Sequence, residues 1–230
     1  MKKSRILFLS LVFAFAFALA AFAAGCSGGS GEEAAGDAQA PAQDEAAAEQ
    51  AAPAEGDATA AASDAVVVYF SHAGENYGVG VVDEGNTAVV AKMIAEQTGA
   101  DMFEIVPTEA YPEGYDECCD VALAEQEAGE RPTYEGDIDL SSYSTVYLGY
   151  PIWWGDLPMV VYTFVEGHDW DGKTVEPFCT HAGSGQAGTV QTLRDACAGA
   201  TVDEGFSIEG TTAQQDREAT EEAVTSWLQQ

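Results

Sequence analysis

One stretch of the sequence decides the fold: VVVYF, residues 66–70. A continuous run of β-branched and aromatic residues is typical of a strand that is buried on both faces, as in a parallel sheet. From residue 87 onward the apolar residues recur at helical spacing, for example Val90 and Ile94. Asn86 and Gly99 are residue types that begin and end such a helix. The sequence therefore predicts a buried strand followed by a crossover helix.

The same alternation continues to the end of the chain. Further strands are predicted at residues 102–106, 145–150, 174–179 and 201–208, and further helices at 116–127, from Pro158, at 186–197 and from Thr212, where TAQQ has capping-box spacing. Five strands that alternate with helices predict a single α/β domain with a doubly wound, mostly parallel sheet. In such a sheet, ligands bind at the carboxyl ends of the strands where the strand order reverses.

Three loops that follow predicted strands carry unusual residues. SHAG at residues 71–74 follows the first strand, and GNT at 85–87 begins the first helix; hydroxyls and amides at a helix N-terminus can bind phosphate without a cationic side chain. PIWWG at 151–155 follows the third strand, and its aromatic rings could stack on a planar ligand. THAGSG at 180–185 follows the fourth strand, and its glycines allow a close approach of the backbone to a ligand.

These loops resemble the signatures of the flavodoxins and flavodoxin-like proteins. The sequence reads VYFS at residues 68–71, GYPIWW at 149–154 and PFCTH at 177–181, and the resemblance extends over residues 65–230. It implies a five-stranded sheet of order 2-1-3-4-5 and bound flavin mononucleotide (FMN). By this resemblance, the phosphate is held by Ser71, His72, Asn86 and Thr87, one side of the isoalloxazine ring is lined by Pro151, Ile152, Trp153, Trp154 and Gly155, and the other rim by Thr180, His181, Gly183 and Ser184.

The sequence departs from the flavodoxin pattern at the phosphate loop. The usual loop is compact, whereas here 11 residues, 75–85, separate Gly74 from Asn86. The insertion leaves both halves of the motif intact. It could form a flap over the ribityl chain, but its glycines favour a flexible bulge into solvent, and we expect the bulge.

The remaining unusual side chains have plainer interpretations. Trp170 and Trp227 are predicted to pack in the core. His181 either lines the ligand or is a loop residue that only forms hydrogen bonds. The histidines at positions 72, 168 and 181 lack the spacing of metal ligands, so we expect no metal site and assign no catalytic residue.

The N-terminal region has the pattern of an export signal. Three of the eight basic residues fall within the first five positions, residues 6–24 are apolar except for one serine, and the small residues AAG precede Cys26. This pattern resembles the lipobox of bacterial lipoproteins, which implies cleavage of a signal peptide at residues 1–25 and lipidation of Cys26. An uncleaved membrane helix is the alternative. Both interpretations place the remainder outside the cytoplasm and attach it to the cell membrane.

Residues 26–64 are predicted to be a disordered tether, followed by the folded domain at residues 65–230. Positions 27–64 hold 15 alanines and nine acidic residues, with no Lys, Arg or aromatic residue, so they cannot build a core.

The charge of the chain limits its partners. The formal net charge is −31, which excludes nucleic-acid binding and a polybasic contact with anionic lipids. Residues 65–230 alone contain 30 acidic and five basic residues, which predicts redox partner proteins with basic docking surfaces and a low potential for bound flavin. The sequence thus favours an FMN-binding electron carrier. An FMN-dependent NAD(P)H:quinone-type oxidoreductase and a module that binds a different ligand or only a protein partner remain open alternatives.

Overall fold

A computed structural model of the chain describes residues 63–230. The predicted signal peptide, the lipidation of Cys26 and all but the end of the predicted tether lie outside the described residues. Within residues 63–230, no helix combines the length and apolar character that crossing a bilayer requires.

Strands and helices alternate along the described chain, as predicted. In chain order the elements are β1 (Ala65–Tyr69), β2 (Gly74–Asn76), β3 (Gly80–Val82), α1 (Asn86–Thr98), β4 (Asp101–Glu104), β5 (Val106–Pro107), α2 (Tyr115–Ala128), β6 (Tyr134–Glu135), a 3₁₀ turn (Leu140–Ser142), β7 (Thr145–Pro151), α3 (Met159–Gly167), β8 (Thr174–His181), α4 (Thr189–Ala196), β9 (Thr201–Val202), β10 (Phe206–Glu209), α5 (Gly210–Gln215) and α6 (Arg217–Leu228). Helix α4 begins three residues later than predicted.

The central sheet is parallel and has the strand order β10-β8-β7-β1-β4. Numbered along the chain, its five main strands follow the expected order 2-1-3-4-5, and the predicted fold class is confirmed. The strand predicted at residues 201–208 is instead two, because β9 and β10 pair with opposite ends of β8. The strand predicted at 102–106 ends with β4, since Val106 pairs with β6 in a separate ladder. The strand order reverses between β1 and β7, so the loops after these strands open the crevice.

Helices cover both faces of the sheet, and β1 shows why its apolar run is continuous. Val66 and Val68 pack in a cluster with Phe164 of α3 on one face. Val67 packs with Ile94 of α1 on the other face. All three valines are fully buried.

The start of helix α1 is built differently from the prediction. Gly85 occupies the N-cap position, and the side chain of Asn86 does not cap the helix. Instead, Oγ of Ser71, in the loop after β1, accepts a hydrogen bond from the amide of Ala88 at 3.0 Å. The prediction of Asn86 as the cap is therefore wrong, whereas Gly99 ends the helix as predicted, with a φ of 69°.

The predicted closing helix is two helices, α5 and α6. Asp216 separates them, and its carboxylate accepts a hydrogen bond from the amide of Ala219 at 3.1 Å, so the capping box expected at Thr212 is wrong. Trp227 of α6 stacks on a phenylalanine of β10, with ring centroids 5.4 Å apart. Trp170 is buried in the opposite core. The prediction that both tryptophans pack is confirmed.

Candidate functional site

A cavity of about 670 Å³ opens at the carboxyl ends of β1, β7 and β8. Eight of the thirteen predicted cofactor residues line it: His72, Asn86, Pro151, Ile152, Trp153, Trp154, Thr180 and His181. The other five, Ser71, Thr87, Gly155, Gly183 and Ser184, lie in the same loops but are not part of its wall. The structure thus brings the three predicted loops together at one edge of the sheet.

The two halves of the interrupted phosphate loop are in direct contact. Gly85 packs so closely against the first half that a β-carbon would collide with Oγ of Ser71 and with the backbone carbonyl of His72. Gly85 has a φ of −68°, which any residue adopts, so this position requires glycine for space and not for its dihedral angle. The 11 inserted residues therefore do not separate Ser71 from the N-terminus of α1.

The first turn of α1 offers free amides to this end of the cavity. Ala88 donates to Ser71 and Val89 donates to the carbonyl of Gly85, whereas the amides of Asn86 and Thr87 have no protein acceptor within residues 63–230. The side-chain oxygen of Asn86, Oδ1, is also buried there without a hydrogen-bond partner. None of the described residues that line the cavity is Lys or Arg. The arrangement suits an anionic group that carries hydroxyls.

The hydroxyl of Thr87 forms a hydrogen bond within the protein. It lies 2.9 Å from the hydroxyl of Thr180, and both residues are buried. This bond joins the start of α1 to the end of β8, so the hydroxyl of Thr87 is already engaged and its backbone amide is the group left without an acceptor among the described residues.

The insertion forms a β-hairpin in which β2 pairs with β3. We expected a flexible bulge into solvent, and the hairpin instead forms part of the cavity wall. Its first strand and turn place Glu75, Asn76 and Tyr77 in the cavity wall. Glu75 is held at both ends, because its amide donates to the carbonyl of Glu113 at 2.7 Å and its carboxylate accepts from the amide of Tyr115 at 3.2 Å. These contacts with neighbouring loops, which local sequence does not encode, fold the hairpin over the site.

The two adjacent tryptophans sit on a tight turn after β7. Trp153 and Asp156 exchange two backbone hydrogen bonds, of 3.0 and 2.9 Å. Between them, Trp154 and Gly155 both have left-handed backbones, with φ of 49° and 78°. This is the geometry of a type I′ turn, in which glycine is favoured and tryptophan is strained. Gly155 thus shapes the turn that presents its neighbour.

Trp153 and Trp154 have different environments. Trp153 is turned inward, edge-on to Phe70 and to Tyr111 at centroid distances of 5.2 and 4.8 Å. Trp154 is 53% exposed, and its indole N–H donates to the carbonyl of Cys119 on α2 at 2.9 Å. Trp153 therefore combines packing with lining the cavity, whereas Trp154 holds an open aromatic face in a fixed orientation.

The two cavity histidines are fixed by backbone groups. Nε2 of His72 donates to the carbonyl of Pro112 at 2.9 Å. Nδ1 of His181 accepts from the amide of Gly183 at 3.0 Å. Burial lowers the pKa of His181, opposed by Glu209, so the ring is neutral near pH 7 and carries its proton on Nε2. His181 thus both forms a loop hydrogen bond and lines the cavity.

The far wall of the cavity comes from α2, which the sequence did not single out. Tyr115, Asp116, Cys119 and Asp120 line it at helical spacing. Burial, followed by the neighbouring Cys119 thiol, raises the pKa of Tyr115 to about 12, so its phenol stays protonated. No sequence signal marks this face, because an exposed polar helix looks the same whether or not a distant hairpin closes over it.

Similarity to known proteins agrees with this geometry. The family model described as Flavodoxin matches residues 65–230. Candidate flavoproteins from Bacteroides eggerthii and Bacteroides uniformis are both 26% identical to the chain with a TM-score of 0.56; they cover 72% and 74% of this chain, and 95% and 99% of their own.

A flavoprotein from Lactobacillus acidophilus, solved in complex with FMN, is 19% identical with a TM-score of 0.50, over 64% of this chain and 93% of its own. No protein with a curated description is similar enough to count as a match. Because the family model spans well over half of the sequence, the chain belongs to the flavodoxin family.

Proposed function

We propose that this flavodoxin binds FMN and carries electrons between redox partner proteins while Cys26 anchors it by lipid to the outer face of the cytoplasmic membrane. The observation that carries the proposal is the contact between the two halves of the phosphate loop through Gly85. This contact keeps Ser71 beside the start of α1 despite an insertion of 11 residues, which supports the proposal that the helix start holds a phosphate.

The residues present fit FMN. The free amides of Asn86 and Thr87 would hold the phosphate at the positive end of the helix dipole. A hydroxyl of the ribityl chain or phosphate would supply the donor that Oδ1 of Asn86 lacks. The absence of Lys and Arg from the described cavity wall is compatible with one phosphate group, which amides and hydroxyls can satisfy.

The ring end of the site fits a planar heterocycle. The indole ring of Trp154 would stack on this heterocycle. The strained turn and the hydrogen bond of the indole N–H hold the indole in place before the ligand binds. Nε2–H of His181 could donate to an acceptor on the ring edge. When bound, the flavin supplies reversible uptake of electrons. The Lactobacillus flavoprotein supports the choice of FMN, because it is a protein of this fold whose structure contains it.

Electron transfer to a basic partner is supported by the charge of the domain. All five basic side chains of residues 65–230 are already engaged by protein groups: Lys92 and Arg217 with Glu84, Arg131 with Glu166, Arg194 with Glu204, and Lys173 with two backbone carbonyls. The other 27 carboxylates of residues 65–230 have no Lys or Arg partner, and most of them are exposed. This distribution favours a positively charged partner and a salt-sensitive encounter.

A self-contained NAD(P)H reductase is less well supported. Its nicotinamide donor carries a diphosphate, yet the described cavity wall contains three carboxylates, of Glu75, Asp116 and Asp120, and no Lys or Arg. Repulsion between these groups disfavours a dinucleotide in the cavity.

The first experiment is a visible absorption spectrum of the full-length protein after gel filtration. Flavin bands that stay with the protein, and an affinity for FMN at least tenfold higher than for riboflavin, would support the proposed phosphate site. A protein that stays colourless after reconstitution would point to a different ligand. Fast, saturable oxidation of NADH or NADPH with a quinone would contradict the carrier role.

The anchor needs a separate test. Cell fractionation should find the protein in membranes and its Cys26→Ser variant released or unprocessed, and mass spectrometry of the mature N-terminus should detect the acyl groups. A Cys26→Ser variant that is processed and fractionates like the parent would contradict lipidation.

A further inference from the structure

The chain has two asparagines, Asn76 in the hairpin and Asn86 at the start of α1, and the structure pairs them in the cavity wall. The side-chain Nδ2 of Asn76 donates to the carbonyls of His72 and Gly74, at 3.2 Å each, which fixes the orientation of this amide. Its oxygen, Oδ1, is then free to accept a hydrogen bond from Nδ2 of Asn86 at 3.4 Å. The hairpin therefore contacts the nitrogen end of the Asn86 amide.

This contact determines which atom of Asn86 is left for a ligand. In the reverse orientation the two Oδ1 atoms would face each other, and amide oxygens have no proton to share. In the observed orientation the atom without a partner is an acceptor, since Oδ1 of Asn86 is buried and no donor of residues 63–230 reaches it. A buried acceptor without a donor costs free energy, so a ligand that supplies the donor is favoured. A fully ionised phosphate carries acceptors only, so the missing donor at this end of the ligand is a hydroxyl.

Gly210, the first residue of α5, holds the same amide from another side. It is buried and also lines the cavity. A β-carbon at this position would collide with Nδ2 of Asn86 and lie 3.0 Å from its Cγ. The backbone of Gly210 is not left-handed, so the position requires glycine for space and not for its dihedral angle. Because the obstructing atoms belong to a side chain, alanine at position 210 would displace the amide of Asn86.

We infer that Asn76 and Gly210 are positioning residues. They lock the side-chain amide of Asn86 with its oxygen unpaired, and the cavity thereby selects a ligand that donates a hydroxyl to this oxygen. The inference rests on the proposed function in that the ligand is FMN, whose ribityl chain and singly protonated phosphate both carry hydroxyls. It gives the insertion a part in ligand selection, because Asn76 belongs to the inserted residues.

The binding test is a double-mutant cycle on the full-length protein, with dissociation constants for FMN measured by flavin fluorescence. Asn76→Ala, Gly210→Ala and Asn86→Ala should each weaken FMN binding about tenfold. In the Asn86→Ala background, neither of the other substitutions should weaken it further, because both act through Asn86. Alanine at position 210 fits that background, since the β-carbon of residue 86, which Asn86→Ala keeps, lies 3.6 Å away.

Val81→Ala and Gly167→Ala are the matched controls. Val81 lies in the same hairpin, is 80% exposed and is not part of the cavity wall. A β-carbon at Gly167, at the end of α3, would meet no atom within 4 Å. Both controls should bind FMN like the parent protein. Urea midpoints of all variants separate a loss of affinity from a loss of folding.

Two simpler ligands identify the hydroxyl that reaches Oδ1 of Asn86. Riboflavin has the ribityl hydroxyls without the phosphate, and inorganic phosphate has no ribityl chain. If a ribityl hydroxyl is the donor, Asn76→Ala should weaken riboflavin and FMN by the same factor. If the phosphate donates, the substitution should weaken FMN and inorganic phosphate, and the loss should disappear well above pH 6, close to the second pKa of a phosphate ester at about 6.

A second readout needs no flavin. Because the chain has only two asparagines, labelling their side-chain nitrogens with ¹⁵N gives two NH₂ signals by NMR, and Asn86→Ala identifies the signal of Asn86. In the ligand-free protein, Asn76→Ala and Gly210→Ala should each shift this signal and speed its hydrogen exchange with water. Gly167→Ala should leave it unchanged.

Each contrary outcome has a distinct meaning. Equal losses of FMN affinity from Asn76→Ala or Gly210→Ala in the parent and in the Asn86→Ala background would overturn the inference, because the effect would not pass through Asn86. FMN affinities that neither single substitution changes would also overturn it and leave the proposed function standing. A parent protein that binds no FMN would refute the proposed function. The NMR signal of Asn86 would then decide the inference alone: the expected shifts would uphold the locked amide, and an unchanged signal would overturn it.

Discussion

Replacing Gly85 with alanine tests whether the two halves of the phosphate loop work as one unit. A β-carbon at Gly85 would collide with Oγ of Ser71 and with the carbonyl of His72. The hydroxyl can rotate away, but the carbonyl belongs to the backbone, so the start of α1 must move. Forced overpacking of this kind costs about 1–3 kcal/mol of unfolding free energy.

Gly114→Ala is a closely matched control. Gly114 is the N-cap of α2, as Gly85 is of α1, and the two have similar backbones, with φ and ψ of −74° and 137° against −68° and 157°. The β-carbon of Gly114→Ala would have its nearest neighbour, Oε2 of Glu117, at 3.6 Å, an ordinary contact. Capping and chain-entropy effects of alanine are therefore common to both variants, and their difference isolates the collision.

The assay is urea denaturation of both variants, followed by titration with FMN. We expect Gly85→Ala to be about 1–3 kcal/mol less stable than Gly114→Ala and to bind FMN at least about tenfold more weakly, because the amides of Asn86 and Thr87 move with the helix start. Equal stabilities would refute the close packing at Gly85. Lower stability with unchanged FMN affinity would refute the role of this helix start in holding the phosphate.

Three other perturbations separate packing from binding. Trp154→Ala should weaken FMN binding about tenfold with little loss of stability, because its ring is exposed in the site. Trp153→Leu should mainly lower the urea midpoint, because the ring of Trp153 packs on Phe70 and Tyr111. The reverse pattern would contradict the assignment of Trp154 to the ligand and of Trp153 to packing. Ser71→Ala should cost about 1 kcal/mol of unfolding free energy by removing the cap on Ala88, and a neutral result would show that the 3.0 Å bond does not stabilise α1. Burial, then the neighbouring Asp203, raises the pKa of Glu176 to about 7 from its ordinary 4.5, so the native state favours the protonated form. The free energy of unfolding should therefore fall by about 1–2 kcal/mol as the pH rises from about 4.5 to 7, a figure reduced for the partial exposure of Glu176. Glu176→Gln should abolish this fall. If the variant keeps the same dependence of stability on pH, Glu176 is not the origin of the effect.

The sequence predicted the sheet well because burial on both faces leaves a strong local signal. Val66, Val67 and Val68 are fully buried and could be read as a central strand directly. The last strand was mispredicted as continuous because its break depends on Gly205, which adopts a φ of 71° between β9 and β10. The local composition shows that residues 201–208 are apolar enough for a strand, but it does not show where the pairing with β8 is interrupted.

The candidate site divides in the same way. The sequence could predict that residues after strands, such as Trp154 and His181, belong to the site, because the carboxyl ends of parallel strands lie at the same edge of the sheet. The cap on α1 could not be predicted, because Ser71, which accepts the hydrogen bond from the amide of Ala88, lies 17 positions earlier in the sequence. The α2 wall was not predictable either, since the hairpin that makes Tyr115 part of a cavity is itself fixed by long-range bonds through Glu75.

The hairpin explains how a long insertion and an intact phosphate loop can coexist. Gly74 at its start pairs with Val82 near its end, so the insertion closes on itself and returns the chain to Gly85 beside Ser71. The helix start is thereby preserved, and what the insertion adds is a wall of Glu75, Asn76 and Tyr77 facing α2. Family membership accounts for the strand-end part of the cavity, whereas the α2 end is formed by residues outside the shared motifs. The two ends have separate structural causes, so substitutions in the hairpin wall should alter what else the cavity accepts without dismantling the helix start that suits a phosphate.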